Sequence, residues 1–91
     1  EFALYQNYPN PFNPVTTIEY ALPEATDVTI VIYDIMGHQV QTLLSEMQEP
    51  GYKSIKWNSD NEFGRPVATG VYFYSIAAGG YHKVRKMLLI K

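Results

Sequence analysis

Apolar and polar side chains alternate along this chain in short runs, and each run is cut off by Gly, Pro, Asn or Asp. Period-two alternation is the mark of a strand with one buried face. In residues 16–22, Thr16, Ile18, Tyr20 and Leu22 stand on one side and Thr17, Glu19 and Ala21 on the other. Residues 28–33 carry Val28, Ile30 and Ile32 on one face; the second face, with Val31 and Tyr33, is also apolar, which predicts a central strand. The turn Asp34-Ile35-Met36-Gly37 relies on Gly37 for positive φ and feeds a return strand over 38–44. Glu49-Pro50-Gly51 is the next turn, and the strand after it is expected to turn Ile55 and Trp57 inward. Residues 58–69 form a long polar loop. An aromatic strand over 71–78, the two-residue hairpin loop Gly79-Gly80 and a strand over 81–91 complete the chain. With an N-terminal strand near residues 3–7 there are seven strands, spaced roughly every ten residues, the pattern of an all-β sandwich. No helix is expected: the best window, 39–47, lacks an N-cap and follows Gly37 closely.

A chain of 91 residues makes one domain, spanning 1–91. At this size about 60–65% of the unfolded surface is buried on folding, which leaves little room for an enclosed active site. Hydrophobic residues make up 46% and charged residues 18%, a globular composition. The net charge of −2 gives no sign of a nucleic-acid binder. With no cysteine, disulfides and thiolate metal sites are excluded. No apolar stretch approaches the roughly 20 residues that span a bilayer, so direct membrane insertion is not expected. The chain begins without Met and shows no signal peptide. Glu1-Phe2 reads as a cloning remnant at the head of a C-terminal domain excised from a longer protein.

The terminal segment breaks the alternation. All nine acidic residues lie at or before Glu62, whereas four of the seven basic residues, Lys83, Arg85, Lys86 and Lys91, lie in the last strand. Between Lys86 and Lys91 runs Met87-Leu88-Leu89-Ile90. A strand with one face in water should keep alternating. Either the fold covers both faces of this strand end, or one face is kept for a partner.

At the other end, Tyr8-Pro9-Asn10-Pro11-Phe12-Asn13-Pro14 packs three prolines into a short block. Proline donates no backbone hydrogen bond and pushes its predecessor to extended geometry, so this is no central strand. We read it as a rigid lead-in with Phe12 docked on the core and a sheet edge shielded, in preference to a polyproline ligand.

Other constellations carry little chemistry. Asn58, Asp60 and Glu62 are spaced like alternate calcium ligands, but the glycine comes too late and Thr69 stands where a bidentate Glu is needed, so a turn is favoured over a weak calcium site. His38 and His82 flank turns and form no metal cluster. No phosphate loop or nucleophile elbow occurs, and an Asp34–Glu46 pair is a very weak signal for catalysis. No cofactor and no enzymatic activity are expected. In Tyr72-Phe73-Tyr74 one face must look outward, a platform for sugar stacking or plain cross-strand packing.

Several strings together now identify a family. Leu4-Tyr5-Gln6-Asn7-Tyr8-Pro9-Asn10-Pro11-Phe12-Asn13-Pro14, Thr17-Ile18-Glu19-Tyr20, Val31-Ile32-Tyr33-Asp34-Ile35-Met36-Gly37, Gly64-Arg65-Pro66-Val67-Ala68-Thr69-Gly70-Val71-Tyr72-Phe73-Tyr74 and Lys86-Met87-Leu88-Leu89-Ile90-Lys91 follow in order over nearly the whole chain. The chain closely resembles the type A C-terminal sorting domain of the type IX secretion system of Bacteroidetes. Its motif positions here are Tyr8, Pro9, Asn10, Pro11, Phe12, Gly37, Gly70 and Tyr72. The resemblance implies an immunoglobulin-like antiparallel β-sandwich of about seven strands, similar also to a domain of the flagellar hook-cap protein, and a fused secreted cargo on its N-terminal side. It implies Sec export to the periplasm, transfer across the outer membrane by the translocon with an outer-membrane shuttle barrel, and arrival at the cell surface or outside. In many cargoes a sortase then removes the domain and joins the cargo to lipopolysaccharide. Recognition is tied to Lys86, Met87, Leu88, Leu89, Ile90 and Lys91. One departure stands out: where the family commonly has Asp-Gly after the Trp, this chain has Asn58-Ser59.

The expected function is therefore a sorting signal read through its terminal strand, by addition to a receptor's sheet or by filling a pocket, with Lys86 and Lys91 setting register by charge. Removal of residues 87–91 is expected to abolish export and leave most of the sandwich folded. The alternative is an immunoglobulin-like spacer or carbohydrate-binding module, with Tyr72 and Tyr74 as stacking residues. Dimers by edge-strand pairing are also conceivable on this pattern.

Overall fold

A computed structural model describes residues 1–91. Its seven strands are β1 (Ala3–Leu4), β2 (Thr16–Leu22), β3 (Thr26–Asp34), β4 (Gln39–Gln48), β5 (Gly51–Trp57), β6 (Gly70–Ala78) and β7 (Tyr81–Leu89). They form two antiparallel sheets, β1-β2-β5 and β4-β3-β6-β7. There is no helix; the 39–47 window is strand, as its missing cap implied.

Each expected strand is present, and its alternation decides which side chains enter the core. Ile18, Tyr20 and Leu22 of β2 face Val28, Ile30 and Ile32 of β3 and Tyr72, Tyr74 and Ile76 of β6 in one buried cluster. β3 lies between β4 and β6 and is the central strand that its two apolar faces predicted. Trp57 is buried, while Ile55 on the edge strand β5 is half-buried and packs against the cluster.

The turns follow their residues. Gly37 has φ 86°, and the Asp34 carboxylate accepts the N–H groups of Met36 and His38, both at 2.9 Å, closing the β3–β4 turn. Gly79 and Gly80 both have positive φ, 53° and 87°, as a primed hairpin turn requires. A side chain at Gly79 would also meet Phe2 at 3.1 Å. Phe2 itself stacks on Tyr81 with ring centroids 5.4 Å apart.

Three expectations change in detail. The return strand runs on to Gln48 because β4 pairs with β3 along its full length, with two bulges. The N-terminal strand is only Ala3–Leu4, because Gln6 and Asn7 turn away to bond Lys86 and Tyr74 before the chain meets β2 again in a single bridge at Tyr8 and Thr17. Asp34 and Glu46 are not neighbours: Glu46 pairs with Val28, at the opposite end of β3 from Asp34.

The Pro-Asn block is an edge strap. Phe12 is buried and sits 5.8 Å from Trp57, which in turn meets Tyr72 edge-on at 5.4 Å. These rings plug the end of the sandwich where β7 finishes. The 58–69 loop closes the same end: the Trp57 indole N–H donates to the Asp60 carbonyl at 2.8 Å, Asn61 accepts from the backbones of Phe63 and Arg65, and Glu62 N–H reaches Val40 at a β4 bulge. The turn is held by the Asn61 side chain and by backbone groups of Asp60 and Glu62, not by the side chains of Asn58, Asp60 and Glu62, and no three acidic or imidazole groups come together there or elsewhere.

Candidate functional site

The terminal strand divides its residues between core and surface. Met87 and Leu89 lie in the cluster, 1% and 0% exposed. Leu88 is half-buried on the other face, Ile90 is 47% exposed, and Lys86 and Lys91 are exposed. Alternation therefore continues through the apolar run; Leu88 and Ile90 are apolar where a solvated strand would carry polar residues. The six expected recognition residues are contiguous, but only Lys86, Leu88, Ile90 and Lys91 are within a partner's reach.

β7 is an edge strand, yet the C-terminal half of its outer edge is closed. The Gln6 side-chain amide donates to the Lys86 carbonyl at 2.8 Å. Leu88 N–H donates to the Asn10 side-chain oxygen at 3.0 Å. Phe12 N–H donates to the Leu88 carbonyl, and Ile90 N–H donates to the Phe12 carbonyl, both at 3.0 Å. On the other side Lys91 N–H reaches the Thr69 hydroxyl at 3.0 Å. The strand-addition mode expected from the sequence is thereby opposed at residues 86–90, because the chain's own N-terminal segment already uses those groups.

The strap is anchored from below. The buried Tyr74 hydroxyl donates to the Tyr5 carbonyl at 2.7 Å and accepts the Asn7 N–H at 2.8 Å. Burial, only partly offset by the Asn7 bond and the nearby Arg85 charge, pushes its pKa up to about 12. Asn7 is itself buried and donates to the Thr16 hydroxyl, which donates to the Pro9 carbonyl. Arg85 spans the gap between sheets and donates to the Leu4 carbonyl at 2.6 Å. Tyr72, also buried, donates to the Ala68 carbonyl at 2.6 Å; burial and then the Asp34 charge raise its pKa.

Of the motif residues, Phe12 and Tyr72 are core, Gly37 makes a turn, Gly70 opens β6 opposite Leu89, and Tyr8, Pro9, Asn10 and Pro11 lie exposed along the strap. The strap therefore connects two motif blocks that are far apart in sequence. Gln6, Asn7 and Arg85 were not anticipated as part of it. The available signal was the proline run, whose missing donors make neighbouring Asn and Gln side chains the natural bonding groups.

The sugar-stacking expectation fails on geometry. Tyr72 and Tyr74 are both buried, and the outward member of the trio is Phe73, half-buried in its own sheet. His38 and His82 are exposed, and His38 lies 3.6 Å from the Asp34 carboxylate within its turn.

Beside the terminal strand, Asn10, Val71, Lys86, Met87 and Leu88 line a shallow groove of about 190 Å³. A second open hollow, of about 310 Å³, lies on the three-stranded sheet between Tyr5, Glu19 and Tyr52.

A family model described as a secretion system C-terminal sorting domain matches residues 6–91. No curated protein matches the chain by sequence. Among solved structures, dimeric latent PorU from Porphyromonas gingivalis is similar with a TM-score of 0.78 at 20% identity, over 99% of this chain and 9% of that one. PorZ, an essential surface component of the type-IX secretion system of the same organism, is similar with a TM-score of 0.61 at 25% identity, over 99% of this chain and 11% of that one. The DNA glycosylase AlkC of Pseudomonas fluorescens gives 0.60 at 14% identity over 31% of its length, a likeness of fold alone. This chain thus spans about a tenth of the two Porphyromonas gingivalis proteins.

Proposed function

The chain belongs to the secretion system C-terminal sorting domain family, and from that premise we propose how its geometry is used. It is a sorting domain of the type IX system, and its business is export to the cell surface or beyond. The fused cargo lies on its N-terminal side and enters the periplasm before the outer membrane is crossed. An outer-membrane shuttle barrel reads the domain, and a sortase then removes it from cargoes destined for the surface.

The observation that supports this most is the terminal strand. Met87 and Leu89 anchor it in the core, which leaves Lys86, Leu88, Ile90 and Lys91 presented on a rigid backbone. A signal read outside its own fold must be exposed and yet preorganised, because ordering a loose segment on binding costs affinity.

The test is export of a periplasm-targeted fluorescent reporter carrying this domain at its C-terminus, in a bacterium with a type IX system. Signal at the surface or in the medium is expected from wild type. It should fall in Ile90→Gln with Lys91→Gln, a pair of exposed positions whose change leaves the core intact. Wild-type reporter that stays in the periplasm with the domain folded would sink the proposal.

A further inference from the structure

Where β6 meets β7, the four-stranded sheet carries an apolar patch on the face turned away from the core. Tyr72, Tyr74, Met87 and Leu89 point inward, so Val71, Phe73, Lys86 and Leu88 point outward on the same strands. Val71 pairs with Leu88, and Phe73 with Lys86. Val84 continues the row and is 47% exposed. The groove of about 190 Å³ between Asn10, Val71, Lys86 and Leu88 lies at the C-terminal end of this face.

Three facts narrow the occupant. The free edge of β7 is tied to Gln6, Asn10 and Phe12 from residue 86 to residue 90, so backbone addition there would break four hydrogen bonds. The groove is smaller than the ~300–1,000 Å³ typical of small-molecule sites and matches one or two inserted side chains. The face lacks carboxylates and carries positive charge: neither β6 nor β7 has an acidic residue, Lys86 lines the groove and exposed Lys91 follows the strand, while Lys83 pairs with buried Ile76 and lies on the opposite face. Lys86 and Lys91 are fewer than the 4–8 clustered basic residues of an anionic-lipid site.

We propose that the outer β6–β7 face is the surface by which the domain is read, and that it receives an apolar protein segment of the export machinery flanked by carboxylates. The inference rests on the sorting reading and adds the mode: side chains on a sheet face, not an added strand. An aliphatic side chain of the partner enters between Val71 and Leu88. Its carboxylates meet Lys86 and Lys91, which fixes register through charge. The strap keeps the backbone edge occupied, so the strand offers its side chains without offering a template for aggregation.

The reporter assay tests this with Val71→Gln, Leu88→Gln and Lys86→Glu, each checked for folding by its thermal melt. Lys86→Glu lies on an exposed position and is the safeguard should either groove variant fail to fold. Wild type secreted, with secretion falling about tenfold or more in folded variants, is the expected result. Wild type secreted and all folded variants secreted equally well would overturn the inference and leave the sorting reading standing. Wild type not secreted would sink both. The purified domain also separates other occupants. A wild-type dimer that Leu88→Gln dissociates in sedimentation velocity would make the face a self-contact. Binding to phosphatidylglycerol vesicles that Leu88→Gln abolishes would make it a lipid surface. Either outcome overturns the proposal.

Discussion

Two buried side chains carry more of the fold than their size implies. Ser59 is the only non-glycine residue with positive φ, at 57°, and its hydroxyl donates to the Pro14 carbonyl. It occupies the position where the family commonly has glycine, which visits this region without penalty. Serine meets the backbone strain and gains a bond to the strap. Ser59→Ala keeps the strain and loses the bond, so it should destabilise by about 1–3 kcal/mol in urea titration. Ser59→Gly loses the bond and relieves the strain, and should fall between wild type and alanine. Tyr74 makes the second case, since its hydroxyl serves two backbone groups of the strap. Tyr74→Phe should cost a similar ~1–3 kcal/mol by leaving the Asn7 N–H and Tyr5 carbonyl unpaired.

The same hydroxyl sets a pH dependence. Its folded pKa of about 12 lies above the ordinary tyrosine value of 10.0. Above pH 10 the unfolded chain releases this proton while the folded one keeps it, so stability present below pH 10 is lost as pH rises toward 12. Tyr20 and Tyr72 are raised too, and act in the same direction. Wild-type unfolding free energy should therefore fall over this window, and Tyr74→Phe should show a shallower fall.

At the scale of elements, the strap and the terminal strand stabilise one another. The strand supplies Leu88 and Ile90 as bonding partners; the strap supplies Phe12 to the aromatic plug and closes an edge that would otherwise pair with other chains. Farther back, at residues 82–84, no strap residue bonds the edge, and His82 and Lys83 guard it with polar side chains. Hydrogen exchange should find the Leu88 and Ile90 amides protected. Asn10→Ala removes the acceptor of Leu88 N–H alone. It should accelerate exchange at Leu88 with little change at Ile90, whose acceptor is the Phe12 carbonyl; equal acceleration at both would mean that the strap opens as one unit.

At the scale of the molecule, the domain is a two-layer sandwich of 37 × 23 × 20 Å, with a radius of gyration of 12.6 Å. Signal and core share one strand. The expectation that residues 87–91 are removable does not hold, because Met87 and Leu89 are buried and the segment is bonded to both β6 and the strap. Emptying either core position costs about 2–5 kcal/mol, against a total of roughly 5–15 kcal/mol for a domain. The truncated domain should be unfolded by circular dichroism at 37 °C, whereas Ile90→Gln with Lys91→Gln should melt within a few degrees of wild type. Export lost on truncation would then report stability, and only the surface variants separate recognition from folding.

Local pattern was enough for much of this protein. Alternation located β2, β3 and β5, since a sheet with one wet face imposes period two on its own residues, and the turns between them placed the remaining strands. Gly37, Gly79-Gly80 and Pro50-Gly51 located the turns, since their conformational range is a property of single residues. Family strings spread over nearly the whole chain carried the sorting function. Long-range pairing was beyond such reading. That Asn10 bonds Leu88, that Tyr74 holds Tyr5 and Asn7, and that Phe12 and Trp57 plug the end beside β7 depends on which strand lies at which edge. Sheet order arises from packing whole layers together, not from any local run. Tertiary structure alone therefore decided that Met87 and Leu89 belong to the core, that Tyr72 and Tyr74 are unavailable to sugars, and that the terminal strand shows a partner its side chains while its backbone is already engaged.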